Sequence, residues 1–194
     1  MAISEAYLQL KKYLGENTTL NKEKIEKCAS FFQYKKVRRN EMLEKEGKIC
    51  NHFYFIAKGC LRLYEIDKKG KEVIGKFALE DSMISAITSF ITQKKSLDFL
   101  VAHEPSEIFT IHRKDLYTAF EEFPEFAALY NKFMEFAFVH SQMRVYMFLG
   151  MEGLDKLKWV MEHEPTLLTR VSSKSVASYL GMTNSTLSKL KAKL

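Results

Sequence analysis

The sequence predicts an α+β protein with an amino-terminal antiparallel β roll, a long helix and a carboxyl-terminal helix-turn-helix domain. Three observations lead to this fold class. Short segments with period-two alternation follow one another between residues 34 and 112. Residues 126–147 form a longer run that is apolar on more than one face. Residues 173–192 show two short helical patterns separated by a glycine, which is typical of a helix-turn-helix.

Composition is ordinary for a globular protein. The chain has 194 residues, of which 46% are hydrophobic and 28% charged, enough for one large or two small domains. No run approaches the roughly 18 uninterrupted apolar residues of a membrane span, and the amino end lacks a basic-then-apolar signal pattern. We therefore expect a cytoplasmic protein without membrane contact.

The three cysteines, Cys28, Cys50 and Cys60, show no C-x-x-C spacing. An odd number without that spacing indicates neither a disulfide framework nor a zinc site. We expect reduced, mostly buried thiols, and the sequence leaves open whether one of them is a redox sensor.

Two helices precede the strands. Tyr7, Leu10 and Leu14 recur at spacings of three and four, which predicts a first helix ending at Gly15. Residues 21–32 predict a second helix with a lysine-rich outer side.

The period then changes from about 3.6 to 2, as expected on passing from helix to strand. Glycines at positions 47, 59 and 70 mark turns between the extended segments. Short strands with regular turn signals predict an antiparallel sandwich, barrel or roll. The predicted strands cover residues 34–38, 53–57, 61–66, 73–78, 97–102 and 108–112.

A helix over residues 113–123 ends before Pro124, and the long helix follows. One apolar stripe of this helix has alternating spacings of four and three, which makes a heptad seam. Because a second stripe lies beside it, the helix must bury two faces, and a second copy of the chain is the simplest partner. The alternative is a single large core that covers both. The seam residues are Leu129, Phe133, Phe136, His140, Met143 and Met147.

Residues 150–153 are predicted to form a hinge, residues 154–162 a helix ended by Pro165, and residues 167–171 a short strand or turn. Ser172 or Ser173 can cap the first helix of the following pair, and Thr183 or Asn184 the second. Gly181 supplies the sharp turn between them.

The outer face of this pair combines short polar side chains with lysine, as a reader of the DNA major groove requires. From Pro165 to Leu194 the chain has five basic residues and no Asp or Glu, so this segment holds +5 of the net charge of +6. An acid-free segment favours a polyanion, here double-stranded DNA. The predicted base contacts are Asn184, Ser185, Thr186 and Lys189, and the predicted phosphate contacts are Arg170, Ser172, Ser173, Lys174, Ser188 and Lys191.

Residues 52–64, Glu46-Gly47 and above all residues 176–188 resemble the Crp/Fnr family of bacterial transcription regulators, and the stretch 187–190 resembles its Bacteroidetes-type branch. The resemblance implies a cyclic-nucleotide-binding-like sensor domain over residues 1–123, a dimerisation helix and hinge over 124–150, and a DNA-binding domain over 151–194. It further implies a homodimer that regulates transcription, base-reading side chains at the positions named above, a minimal wing, and RNA polymerase as an additional partner class. The alternative is a ligand-binding module whose helix-turn-helix contacts protein.

The resemblance fails at the effector site. Family members that bind cyclic nucleotide have Gly-Glu near a short helix and an arginine before the next strand, and this sequence has neither. We therefore expect a protein that does not respond to cyclic AMP, with no predicted cofactor or metal and room for an unidentified small-molecule effector. The corresponding pocket residues are Met83, Ile84, Ser85, Ala86, Lys95, Ser96 and Leu97.

Enzymatic activity is not expected. The five histidines form no H-x-H pair, and no P-loop, nucleophile elbow or paired-carboxylate motif occurs in the chain.

Overall fold

The computed structural model describes residues 2–194, so Met1, the first residue of the predicted sensor domain, lies outside the described residues. The strands are β1 (Gln33–Val37), β2 (Met42–Glu44), β3 (His52–Lys58), β4 (Leu61–Ile66), β5 (Glu72–Ala78), β6 (Ser82–Ile84), β7 (Phe99–Ala102) and β8 (Ser106–His112). The helices are α1 (Ala2–Asn17), α2 (Lys22–Ser30), α3 (Ile87–Thr92), α4 (Arg113–Glu122), α5 (Pro124–Leu149), α6 (Gly153–His163), α7 (Pro165–Arg170), α8 (Ser173–Tyr179) and α9 (Asn184–Lys191).

The strands form two four-stranded sheets, in the orders β1-β8-β3-β6 and β2-β7-β4-β5. Strand β3 is central to the first sheet and pairs antiparallel with both β8 and β6. Side chains on a strand alternate between its two faces. Tyr54 and Ile56 pack with side chains from both sheets, whereas Phe53 and Phe55 pack with the helices behind the first sheet. The strand is therefore buried on both faces, which explains its nearly continuous apolar sequence.

The chain divides into two compact units. The first contains the chain up to Leu63 together with Phe77–Glu135, and the second contains Tyr64–Lys76 together with Phe136–Leu194. The long helix α5 therefore contributes residues to both units, and so does the hairpin formed by β4 and β5. The domain boundaries drawn from the sequence stay predictions.

The fold class is confirmed, and most predicted elements are present with boundaries shifted by one or two residues. Three short elements, β2, β6 and α3, were not predicted, because three to six residues are too few to display a period. The predicted strand or turn over residues 167–171 is wrong, since Pro165–Arg170 is a helix with proline in its first turn. The first helix continues past Gly15 to Asn17.

Among the helices in the described part of the chain, none is long and apolar enough to cross a membrane.

The buried thiols of the first unit give a prediction for alkaline pH. Burial, followed by the charge of Glu122, raises the pKa of Cys28 from 9.0 to about 12, and burial, followed by the charge of Glu44, raises that of Cys50 to about 11. A raised pKa means that folding favours the neutral thiol. The stabilisation is therefore complete below pH 9 and is lost as the pH rises towards these values, by about 1.4 kcal/mol per pH unit and thiol.

Replacing Cys28 by alanine is expected to remove one of these two contributions. Urea unfolding of the wild type and the variant at several pH values between about 8 and 10.5 measures it, because the free energy of unfolding should fall less steeply with pH in the variant. Equal slopes for the two proteins would contradict the prediction.

Candidate nucleic-acid interface

The helix-turn-helix of the second unit consists of α8, a turn and α9. The hydroxyl of Ser172 caps α8 by accepting a hydrogen bond of 3.3 Å from the amide of Ser175. The hydroxyl of Thr183 caps α9 in the same way, at 3.1 Å from the amide of Thr186. Both caps satisfy amides that have no partner inside the helix, and each cap is one of the two residues predicted for it.

The turn between the helices depends on Gly181, whose φ of +66° is in the left-handed region. The next amide, that of Met182, donates to the carbonyl of Ala177 at 2.9 Å, which closes the end of α8. A Cβ atom at position 181 would lie 2.5 Å from the ring of Phe148. The predicted turn is therefore needed both for its backbone conformation and for the close packing of α5.

The four predicted base-contact residues are exposed on α9, while Leu187 is fully buried beneath them. The hydroxyls of Ser185 and Thr186 lie 2.9 and 2.8 Å from that of Thr183, so the cap uses part of their hydrogen-bonding capacity. Asn184 and Lys189 carry the longer side chains of this face. The helix thus presents an amide and an ammonium group to solvent, chemistry suited to base edges and phosphates.

The predicted phosphate contacts fall into two groups. Ser172, Ser173, Lys174, Ser188 and Lys191 are exposed, although Ser172 also caps α8. Arg170 at the end of α7 is half-buried. The exposed members come from both helices of the motif.

A polar cluster that the sequence did not reveal holds α8 against α5, and we call it the α5–α8 cluster (His140, Arg144, Glu164 and Tyr179). Nε2 of His140 lies 3.2 Å from Oε1 of Glu164 and 3.4 Å from the hydroxyl of Tyr179. The guanidinium of Arg144 lies 4.3 Å from the ring centroid of Tyr179 and donates a hydrogen bond to its carbonyl.

Burial raises the pKa of Tyr179, and burial lowers the pKa of Arg144. Arg144 and Tyr179 are therefore largely removed from water and contact each other, and this fixes the carboxyl end of α8. Its members come from α5, α8 and the residue before α7, so no local sequence pattern could identify it.

The residues of the predicted effector pocket lie in the first unit. Met83, Ile84, Ser85, Ala86 and Ser96 are buried, whereas Lys95 and Leu97 are exposed. The hydroxyl of Ser85 donates to the carbonyl of His52 at 2.8 Å, and that of Ser96 accepts from the amide of Asp98 at 2.9 Å. These buried hydroxyls are therefore already used by the chain itself.

A carboxylate lies close to this region. Tyr54, which pairs with Ile84 across the sheet, donates from its hydroxyl to Oε1 of Glu44 at 2.7 Å. Burial and then Glu44 raise the pKa of Tyr54. Glu44 is only 9% exposed. A buried acid at this position disfavours a phosphate ligand beside it.

The residues of the predicted dimer seam have different environments. Leu129 and Met147 are buried within the chain, at 6% and 1% exposure, and Phe133 packs on Phe53 at 5.3 Å between ring centroids. His140 belongs to the α5–α8 cluster, Met143 is half-buried, and Phe136 is exposed. Since the chain covers most of this seam itself, it is not the free apolar face of α5. The large apolar side chains of α5 that remain exposed are Phe136, Phe138, Val139, Val145, Tyr146, Phe148 and Leu149.

Residues 34–123 match the cyclic nucleotide-binding domain family. No curated protein matches the chain at a significant level. Solved structures do match. FixK2 from Bradyrhizobium japonicum is 16% identical, with a TM-score of 0.73 over 84% of this chain and 84% of that one. The catabolite activator protein of Thermus thermophilus is 16% identical, with a TM-score of 0.59 over 91% of this chain and 84% of the other.

A regulator from Eubacterium rectale that is assigned to the Crp/Fnr family is 13% identical, with a TM-score of 0.65 over 90% of this chain and 83% of the other. The chain therefore has the architecture of a cyclic nucleotide-binding-like roll joined by a long helix to a helix-turn-helix. This is the architecture of the Crp/Fnr structures, and the resemblance in fold drawn from the sequence is confirmed. The Bacteroidetes-type branch stays a prediction.

Proposed function

We propose that the chain is a homodimeric, sequence-specific DNA-binding transcriptional regulator of the Crp/Fnr type. The observation that carries this proposal is the exposed face of α9, where Asn184 and Lys189 project from a helix-turn-helix segment that contains no acidic residue. In the proposal α9 enters the major groove. Asn184, Ser185, Thr186 and Lys189 then contact base edges, and the basic and hydroxyl side chains around them contact phosphates.

The exposed apolar residues of α5 support a dimer. Phe138, Val145 and Leu149 recur at spacings of seven and four, and their exposed fractions are 65%, 46% and 81%. Three such side chains on one helix face form an exposed apolar patch, and patches of this kind mark contacts between proteins. A parallel pairing of two α5 helices through this face, in place of the seam predicted from the sequence, would cover them. A two-fold dimer reads half-sites about 34 Å apart, which is one turn of DNA.

The first test is selection of bound sequences from a random DNA pool at about 150 mM salt, with sedimentation velocity of the same preparation. We expect a dimer and a two-fold symmetric consensus with half-sites about one turn apart. The matched control carries alanine at both Asn184 and Lys189, which are exposed and can be replaced without disturbing the core. Failure of the wild type to enrich any sequence, with or without cell extract, would refute the proposal.

We further propose that the roll does not bind cyclic AMP. The segment around Ser85 and Ser96 lacks the arginine and Gly-Glu of the nucleotide-binding members, and Glu44 places a buried carboxylate near it. Lysine at position 95 is exposed and lacks the bidentate fork of arginine.

Calorimetric titration with cyclic AMP is therefore expected to give no saturable heat. The control is a titration under the same conditions with the Lys95→Arg variant. This variant restores the arginine but not the Gly-Glu pair, so it should also give no saturable heat. Saturable binding by the wild type would show that this chain recognises the phosphate by another route.

A further inference from the structure

The outer part of the hairpin between β4 and β5, Tyr64–Lys76, belongs to the same compact unit as the terminal helices. Its tip, Asp67 to Lys71, is a preformed turn. Oδ1 of Asp67 accepts hydrogen bonds from the amides of Lys69 at 2.8 Å and Lys71 at 2.9 Å, and Gly70 has a φ of +75°. These backbone bonds are the main reason that the pKa of Asp67 is lowered. The turn is therefore held in one conformation while the ammonium groups of Lys68, Lys69 and Lys71 are exposed.

This hairpin is fixed to the first helix of the helix-turn-helix. The hydroxyl of Ser178 on α8 donates to the carbonyl of Glu72 at 2.8 Å and accepts from the amide of Ile74 at 3.2 Å. Nη2 of Arg144 donates to the carbonyl of Ile74 at 3.2 Å. Ser178 thus bonds to both a backbone donor and a backbone acceptor on the edge of β5. Arg144 of the α5–α8 cluster adds a third hydrogen bond to the same strand.

The point of attachment lies beside the proposed interface. Ser178 follows Lys174 by four residues, so both project from the same face of α8. Lys71 is one residue and Lys69 three residues from Glu72. At about 3.3 Å per residue, these lysines are therefore no more than about 10 Å along the chain from the contact with α8.

We propose that this hairpin is a second phosphate-binding element. When α9 occupies the major groove, Lys68, Lys69 and Lys71 contact backbone phosphates of the DNA that flanks the half-site. Contacts with backbone phosphates carry no sequence information, so the hairpin adds affinity that does not depend on sequence. The inference rests on the proposed DNA-binding function.

The experiment compares the wild type with a variant in which Lys68, Lys69 and Lys71 are all glutamine. The dissociation constant for a selected operator with long flanks is measured between about 50 and 300 mM salt. The slope of its logarithm against log salt is expected to become shallower by about 0.9 for each lost phosphate contact, up to about 2.7 for three. The ratio of affinities for operator and scrambled DNA should stay unchanged.

The matched control replaces Lys45, Lys48 and Lys94, three exposed lysines of the other unit, by glutamine and should keep the wild-type slope. A second variant, Ser178→Ala, removes the hydrogen bonds between α8 and β5 without changing the charge. Its salt dependence is expected to be shallower than that of the wild type. If the wild type binds and the hairpin variant keeps its slope, the inference is overturned and the proposed function stands. An equal loss in the control also overturns it. A wild type that binds no DNA overturns both.

Discussion

Replacing Lys189 by alanine is expected to weaken binding to the selected operator by roughly 1–3 kcal/mol and to relax specificity at one base position. Lys189 is exposed in the second turn of α9, one turn after Ser185, so the two side chains share the face that the proposal places in the groove. If the ammonium group of Lys189 donates to guanine acceptors, its removal abolishes the preference for guanine at that base position. The measurement is the dissociation constant for the operator and for its single-base variants.

The matched control is Lys191→Ala, since Lys191 is also exposed on α9 and lies near its end. A residue that contacts only phosphate should weaken binding to all sequences about equally and reduce the salt slope by about one. If Lys189→Ala behaves in this way, Lys189 belongs to the phosphate contacts. If it changes binding to neither kind of DNA, Lys189 is not part of the interface.

Gly59→Ala is expected to lower the free energy of unfolding by about 3 kcal/mol or more. Gly59 has a φ of +104°, a conformation that residues with a side chain rarely adopt. A Cβ atom there would lie 2.2 Å from Oγ and 2.8 Å from Cα of Ser106. Ser106 cannot rotate away freely, because its hydroxyl accepts from the amide of Cys60 at 3.1 Å and donates to the carbonyl of Glu104 at 2.8 Å. Strain and overpacking therefore add together.

Gly47→Ala separates the two contributions. Gly47 has a φ of +79°, but a Cβ atom at this position would meet nothing within 4 Å. Its replacement should therefore lower the free energy of unfolding by about 1 kcal/mol, through backbone strain alone. Urea unfolding of both variants measures the difference. If the two variants lose the same free energy of unfolding, the structure accommodates the contact between the new Cβ atom and Ser106 without measurable loss of stability.

Much of the fold could be predicted because its elements carry strong local patterns. The alternation in Leu61–Ile66 and a cap at Thr183 or Asn184 are visible in the sequence alone, and the structure has the strand as predicted and the cap at Thr183. Strand β2 has only three residues and a register shift, so its sequence contains no repeat to detect. Its place beside β7 is set by pairing between distant segments.

Some features of the candidate site could likewise be predicted from local spacing, whereas others depend on contacts between distant residues. Exposure of Asn184 and Lys189 follows from helical spacing, because Leu187 on the opposite face fixes which side is buried. Glu44 beside Tyr54, and Ser178 on the edge of β5, depend on contacts between residues that are ten or more positions apart. The seam of α5 shows the limit most clearly, since a heptad pattern indicates that a face is buried but not which partner buries it.

The central position of β3 has a consequence for handling the protein. Phe53 to Ala57 is an uninterrupted apolar and aromatic run, without proline or charge, of the kind that stacks into intermolecular sheets when it is exposed. In the native sheet β8 pairs with one edge of this run and β6 with Tyr54–Ile56 on the other, so most of its backbone is protected from neighbouring molecules. Partial unfolding of the β roll exposes the same residues and allows them to pair with other molecules. We therefore expect partly unfolded protein to aggregate through this strand, and refolding yields to improve at low protein concentration.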